Sequence, residues 1–140
     1  MKKIVLIGLI LLNFSCEKEG ELTRTTPNVV VDNGAILTYT ATLIPTSGIS
    51  ATGQVKIFND KGQFKLRLEN VSLSDGPDLK VYLSKSATPN AFVNLGNFTG
   101  NGTSTYAIPN GISFSEYQYV LIHCQQYNHL FATAKLIPHL

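Results

Sequence analysis

Residues 54–71 read Q-V-K-I-F-N-D-K-G-Q-F-K-L-R-L-E-N-V. Asn59-Asp60-Lys61-Gly62 is turn chemistry, with side-chain acceptors early and a glycine able to take positive φ late. After the turn, Phe64, Leu66 and Leu68 alternate with Lys65, Arg67 and Glu69. Successive strand residues point to opposite faces, so this run is a strand with one apolar and one solvated face. Gln54–Phe58 is its partner, and the pair predicts a β-hairpin.

The same pattern extends in both directions. In Ala35–Leu43, the residues Ala35, Leu37, Tyr39, Ala41 and Leu43 alternate with Thr38, Thr40 and Thr42. Leu79–Ser84 repeats it, with Leu79, Val81 and Leu83 inward. Ala91–Leu95, Thr103–Ile108, Tyr117–Gln125 and Leu130–Ile137 are further strands between turn residues. No long run carries helical periodicity. About eight strands predict an all-β domain, an antiparallel β-sandwich or partly closed barrel, over residues 35–140.

The first residues belong to a different kind of segment. Met1-Lys2-Lys3 is basic, and Ile4–Leu12 is an uncharged apolar run of nine residues. A membrane span needs roughly 20, so the run fits the core of a secretory signal peptide over residues 1–15. Ser15 places a small residue directly before Cys16, with Leu12 four positions before it. This resembles the lipobox of bacterial lipoproteins, with Phe14 bulkier than usual. The resemblance implies cleavage before Cys16 and lipid on its sulfur and amine. Two or more acyl chains anchor stably. The expectation is a cell-envelope lipoprotein on the outer membrane of a Gram-negative bacterium, facing the periplasm or the cell surface. Glu17-Lys18-Glu19 is similar to the charged export signals of some Bacteroidota lipoproteins. Residues 16–34 read as the lipidated N-terminus and a flexible tether ending in a turn.

Loss of Lys2 and Lys3 lowers the basic residues from 11 to 9, equal to the 9 acidic ones. A near-neutral domain without a basic stripe gives nucleic-acid binding no electrostatic support. A lipidated Cys16 cannot pair with Cys124, which leaves Cys124 a lone thiol in a disulfide-permitting compartment.

Tyr119–Phe131 reads Y-V-L-I-H-C-Q-Q-Y-N-H-L-F, and a cysteine between two histidines invites a metal reading. Strand parity argues against it. His123 and Cys124 are adjacent and point to opposite faces, His139 lies near the C-terminus, and the one methionine is Met1. No metal and no cofactor is expected. G-x-S-x-G, H-E-x-x-H and P-loop patterns are missing, and nothing assigns an enzymatic reaction. Parity groups Cys124 with Val120 and Ile122, opposite Tyr117, Tyr119, Leu121 and His123. Both faces are apolar, so this strand is expected to be central and Cys124 to be buried filling or a reachable redox thiol. Asp75-Gly76-Pro77-Asp78 reads as a turn in which Gly76 can take positive φ and the aspartates bond backbone amides, with cation binding the lesser alternative.

Several ordered motifs resemble the DM-thirteen domain family. They are Asp75-Gly76-Pro77-Asp78-Leu79, Val81-Tyr82-Leu83-Ser84, Leu95-Gly96 with Gly100, Tyr106-x-Ile108-Pro109, Tyr119–Cys124, and Phe131-Ala132-x-Ala134-x-Leu136. Together they cover roughly residues 32–137. The resemblance implies a β-rich module, often found beside DOMON domains, with an electron-transfer role centred on the cysteine, here Cys124. The family more often has tryptophan before that cysteine and Phe-Gly later, where this chain has His123 and Phe131-Ala132. Tyr119 and Tyr127 are the candidate aromatic neighbours of the thiol. The functional expectation is an anchored redox domain with an unknown protein or redox partner. The alternative is a non-catalytic surface binding or adhesion module in which Cys124 only packs the core and loops within Asn97–Asn110 carry recognition.

Overall fold

A computed structural model describes residues 29–140. The expected signal peptide over residues 1–15, Cys16 and most of the expected tether lie outside the described residues. Ten strands follow one another: β1 (Ile36–Thr42), β2 (Ile44–Pro45), β3 (Ala51–Asp60), β4 (Gln63–Leu73), β5 (Leu79–Ser84), β6 (Phe92–Asn97), β7 (Gly102–Ala107), β8 (Tyr119–Cys124), β9 (His129–Lys135) and β10 (Ile137–Pro138). They form two five-stranded antiparallel sheets, β10-β1-β3-β4-β7 and β2-β9-β8-β5-β6. Neither sheet closes on itself, so the fold is a β-sandwich and not a barrel. Each expected strand is present, and Leu79–Ser84 has the expected bounds.

β2 and β10 were not expected. Both are Ile-Pro pairs at a sheet edge, where the missing proline N–H costs no ladder bond. The chain passes from β1 in the first sheet to β2 in the second, and returns from β9 in the second to β10 in the first. These two crossings stitch one side of the sandwich. On the opposite side the edge strands β6 and β7 are not hydrogen-bonded to each other, and a groove of about 730 Å³ lies between them.

The turn after β3 follows the sequence. Lys61 and Gly62 both have positive φ, and Asn59 Oδ1 accepts the Gly62 N–H at 2.7 Å. Asp60 accepts bonds from Lys65 Nζ at 2.8 Å and from Asp32 N at 3.1 Å. The Lys65 bond, helped by that of Asp32, holds the Asp60 carboxyl below its ordinary value. Residues just before β1 are thereby fixed to the β3–β4 hairpin.

The core takes alternate residues from both sheets. Val55, Ile57, Leu66, Leu68, Val81, Leu83, Val120 and Ile122 are all fully buried. β4 departs from simple alternation. Leu66 and Leu68 face inward, yet so do Val71 and Leu73. Asn70, with φ 52°, is an extra residue that resets parity. Gly53 lies across from this bulge on β3, at φ 137°. In β1 a bulge at Thr38 likewise separates Leu37, which pairs with Phe58, from Tyr39, which pairs with Ile57. Leu37 and Tyr39 therefore do not share a face as alternation implied.

The outer faces differ in character. On the first sheet Glu69 takes Lys56 at 2.9 Å and Arg67 at 2.5 Å, and Arg67 lies 4.5 Å over the Phe58 ring. Burial opposes ionisation of Glu69, but these two cations outweigh it and hold the carboxyl below its ordinary value. On the second sheet Tyr82, Leu121 and His123 face away from the core and are nevertheless buried. Tyr82 stacks on Phe92 with centroids 4.0 Å apart and lies 5.5 Å from the His123 ring.

Candidate functional site

β8 is the middle strand of its sheet, flanked by β9 and β5. Val120, Ile122 and Cys124 point into the core, while Leu121 and His123 point outward, as parity required. Tyr117 is the exception. It precedes the strand and packs against the core. Cys124 is a free thiol, 1 % exposed. It is the last residue of β8, directly across from Leu79 of β5 and His129 of β9.

The Asp75–Asp78 loop closes the same end of the core. Asp78 O accepts the Gln125 N–H at 3.0 Å, joining the loop to the residue after Cys124. Gly76 does not take positive φ, contrary to the expectation for this turn. Its requirement is space. A Cβ there would lie 2.8 Å from Phe131 Cζ and 2.9 Å from Leu79 Cδ2. The aspartates also differ from expectation, since Asp78 pairs with Lys80 Nζ at 3.1 Å and does not cap backbone amides. The loop thus packs on the two side chains, Leu79 and Phe131, that share the end of the core with Cys124.

A second loop, Asn97–Asn101, faces the first across a cleft of about 400 Å³. Its backbone is fixed by Phe98 N bonding Leu79 O at 2.8 Å and by Tyr106 Oη donating to Asn97 O at 2.9 Å. Asn101 Oδ1 accepts Leu73 N at 3.0 Å. Lys80 Nζ reaches Asn97 Oδ1 at 2.5 Å while holding Asp78, so one ammonium ties both walls together.

A family model described as "Electron transfer DM13" matches residues 46–136, well over half of the chain. The chain belongs to this family. Comparison with curated proteins and with solved structures yields no match. The matched span runs from just after β2 to just before β10 and contains both loops, the cleft and Cys124.

Within this DM13 domain the structure separates some residues that the sequence placed together. Tyr119 is at the opposite end of β8 from Cys124, on the other face, across from Ser84 and Lys135. Tyr127 is in the β8–β9 turn and exposed. Neither lies along the core face that holds the thiol. His123 is also on the outer face, its Nε2 3.0 Å from Asn128 Oδ1 and its Nδ1 buried without a partner among the described residues. Among the described residues no three His, Cys, Asp or Glu side chains gather as metal ligands.

His129 falls one residue before the expected strand Leu130–Ile137, but β9 begins at it, and it pairs directly with Cys124. This register arises from a bulge at Phe131, between the Ile122–Ala132 and His123–Leu130 pairs. The ring stays exposed and packs edge-on against Phe131, centroids 5.0 Å apart. Lys80 was overlooked for another reason, because an outward lysine in an alternating strand looks like ordinary solvated surface.

Burial holds the His123 imidazole below its ordinary pKa of 6.5, against the opposing Asn128 bond. The unfolded chain therefore binds this proton near pH 6.5, while the folded domain refuses it until lower pH. In between, the unfolded state carries more protons and stability falls as pH falls. The contribution is full above pH 6.5 and is lost below it. Denaturant titrations from pH 8 to pH 5 should show a downward slope beginning near pH 6.5, at most about 1.4 kcal/mol per pH unit for one proton. His123→Phe should flatten that slope while keeping a ring beside Tyr82.

Proposed function

We propose that the chain is an envelope-anchored electron-transfer domain whose redox group is the Cys124 thiol, kept behind the Asp75–Asp78 loop. The observation that carries this reading is the position of Cys124 at the end of the central strand. Leu79 pairs with Cys124 across the sheet, and Leu79 and Phe131 lie against Gly76 of the loop, so an opening confined to this end would bring the sulfur toward solvent while most of the two-sheet core stays closed. Closed, the sulfur is buried at the end of the core, which keeps it from stray oxidants. Open, it has His129 beside it to take its proton.

The step is thiol–disulfide exchange with a partner disulfide. The Cys124 proton passes to His129, and the thiolate attacks one partner sulfur. The partner S–S bond breaks, a new S–S bond to Cys124 forms, and the second partner sulfur leaves as thiolate. A thiolate of a second, dithiol partner then attacks Cys124 Sγ and releases the first partner as its dithiol. The second partner's other thiol closes its own disulfide and frees Cys124, so two electrons pass from the second partner to the first. Cys16 lipid holds the domain at the membrane where such partners meet it.

Two measurements test this. The full chain carrying Cys16→Ala, incubated with a small aromatic disulfide, should form one mixed disulfide on Cys124 and release one thiol equivalent. Absence of any adduct on the folded chain would leave Cys124 as core packing and favour a binding module. In cells, an alkyne-bearing fatty acid should label the natural chain and not the Cys16→Ala variant. Labelling that survives the substitution would remove the anchor from the account.

A further inference from the structure

We propose that the cleft between the Asp75–Asp78 and Asn97–Asn101 loops binds a neutral, hydroxyl-rich ligand, a mono- or disaccharide. This goes beyond the redox reading, since it uses none of the thiol chemistry and would stand if Cys124 were inert. The cleft is about 400 Å³, within the ~300–1,000 Å³ range of small-molecule sites. It unites two loops more than 15 residues apart in sequence, both fixed by backbone and side-chain bonds. A pocket built this way loses little entropy on binding.

The chemistry of the walls selects the ligand class. Asp75, Asp78, Lys80, Asn97, Thr99 and Asn101 line the cleft. Carboxylate, ammonium and amide groups follow one another around it, with Asp78, Lys80 and Asn97 already joined in a chain of bonds. Sugar hydroxyls both donate and accept, so they can meet each of these groups in turn. Asn101 Oδ1 is taken by Leu73 N, which leaves its NH₂ to donate. Phe98, half-buried, adds an aromatic to the wall, suited to the C–H face of a sugar ring. Other classes fit less well. Two carboxylates beside one paired ammonium repel phosphate. A hard cation such as calcium wants 6–8 oxygen ligands, and one of the two carboxylates is already held by Lys80. An apolar ligand would strand these polar groups without water.

The test is a backbone NMR titration of the full chain carrying Cys16→Ala. Methyl α-glucoside, methyl α-mannoside, methyl β-galactoside and N-acetylglucosamine are added separately, with calcium chloride and inorganic phosphate as comparison arms. At least one sugar should shift amides of Asp75–Lys80 and Asn97–Asn101 in a saturating manner. The shifts should be lost in Asn97→Ala and in Thr99→Ala, two exposed positions whose variants should retain the parent spectrum elsewhere. The proposal is overturned if no sugar shifts these amides, if only calcium or phosphate does, or if the shifts persist in both variants. None of these outcomes depends on thiol exchange, so failure here is distinct from failure of the redox reading.

Discussion

Gly53→Ala is expected to be strongly destabilising. Gly53 has φ 137°, a region that residues with a Cβ rarely adopt. A Cβ there would meet Val71 Cγ2 at 2.8 Å, Val71 Cα at 3.0 Å and Glu69 O at 3.2 Å. Two of these three atoms are backbone, so no rotamer change relieves the clash. Backbone strain of about 1–3 kcal/mol and overpacking of similar size act together, for a loss of about 2–6 kcal/mol. A domain is typically stable by about 5–15 kcal/mol, so the variant should lose much of its margin. The bulge at Asn70 explains why the site exists. By adding one residue to β4 it returns Val71 and Leu73 to the core, and the displaced backbone comes to lie against Gly53. Urea denaturation of Gly53→Ala beside Gly62→Ala separates the causes, because Gly62 has φ 89° with open space around it. Equal losses would show that φ alone matters; a clearly larger loss at Gly53 is expected.

Gly76→Val should act on access to the thiol more than on the fold. Gly76 is not at positive φ, and a Cβ added there would meet Phe131 Cζ and Leu79 Cδ2. Side chains at 2.8 Å and 2.9 Å can move, unlike the backbone at Gly53. The added volume strains the closed loop and leaves the open loop unstrained. Overpacking costs about 1–3 kcal/mol, and each 1.4 kcal/mol changes a population tenfold, so opening should rise about tenfold or more. Alkylation of Cys124 by a small reagent under native conditions reads this directly. An unchanged rate would mean that the loop is not what shields the sulfur.

How far the sequence reveals such features depends on whether the cause is local. The hairpin at Lys61-Gly62 and the period-two faces of β4 and β5 are set by neighbouring residues, and they were legible. The parity of β8 was legible for the same reason, and it separated His123 from Cys124 without any structure. β2 and β10 were not, because two residues ending in proline carry no alternation. The bulge at Asn70 leaves a trace in the three-residue step from Leu68 to Val71, but that step reads equally well as the end of a strand. Gly76 was assigned to turn geometry because the ring that demands its small size, Phe131, is distant in sequence. The cleft is nonlocal in the same sense. The β5–β6 hairpin brings Asn97 beside Lys80, and only then does that lysine tie two loops together. The place of His129 opposite Cys124 hinges on one bulged residue.

The central claim is that Cys124 becomes reactive through opening of one end of the sandwich. The direct measurement is the rate of Cys124 exchange with a small disulfide, in the full chain carrying Cys16→Ala, at increasing urea below the unfolding transition. Local opening exposes little surface, so the rate should be nearly independent of urea until global unfolding takes over. A rate that instead rises from the first additions of urea, with the full slope of global unfolding, would show that the thiol reacts only in the unfolded chain. That result would contradict a gated redox role for Cys124.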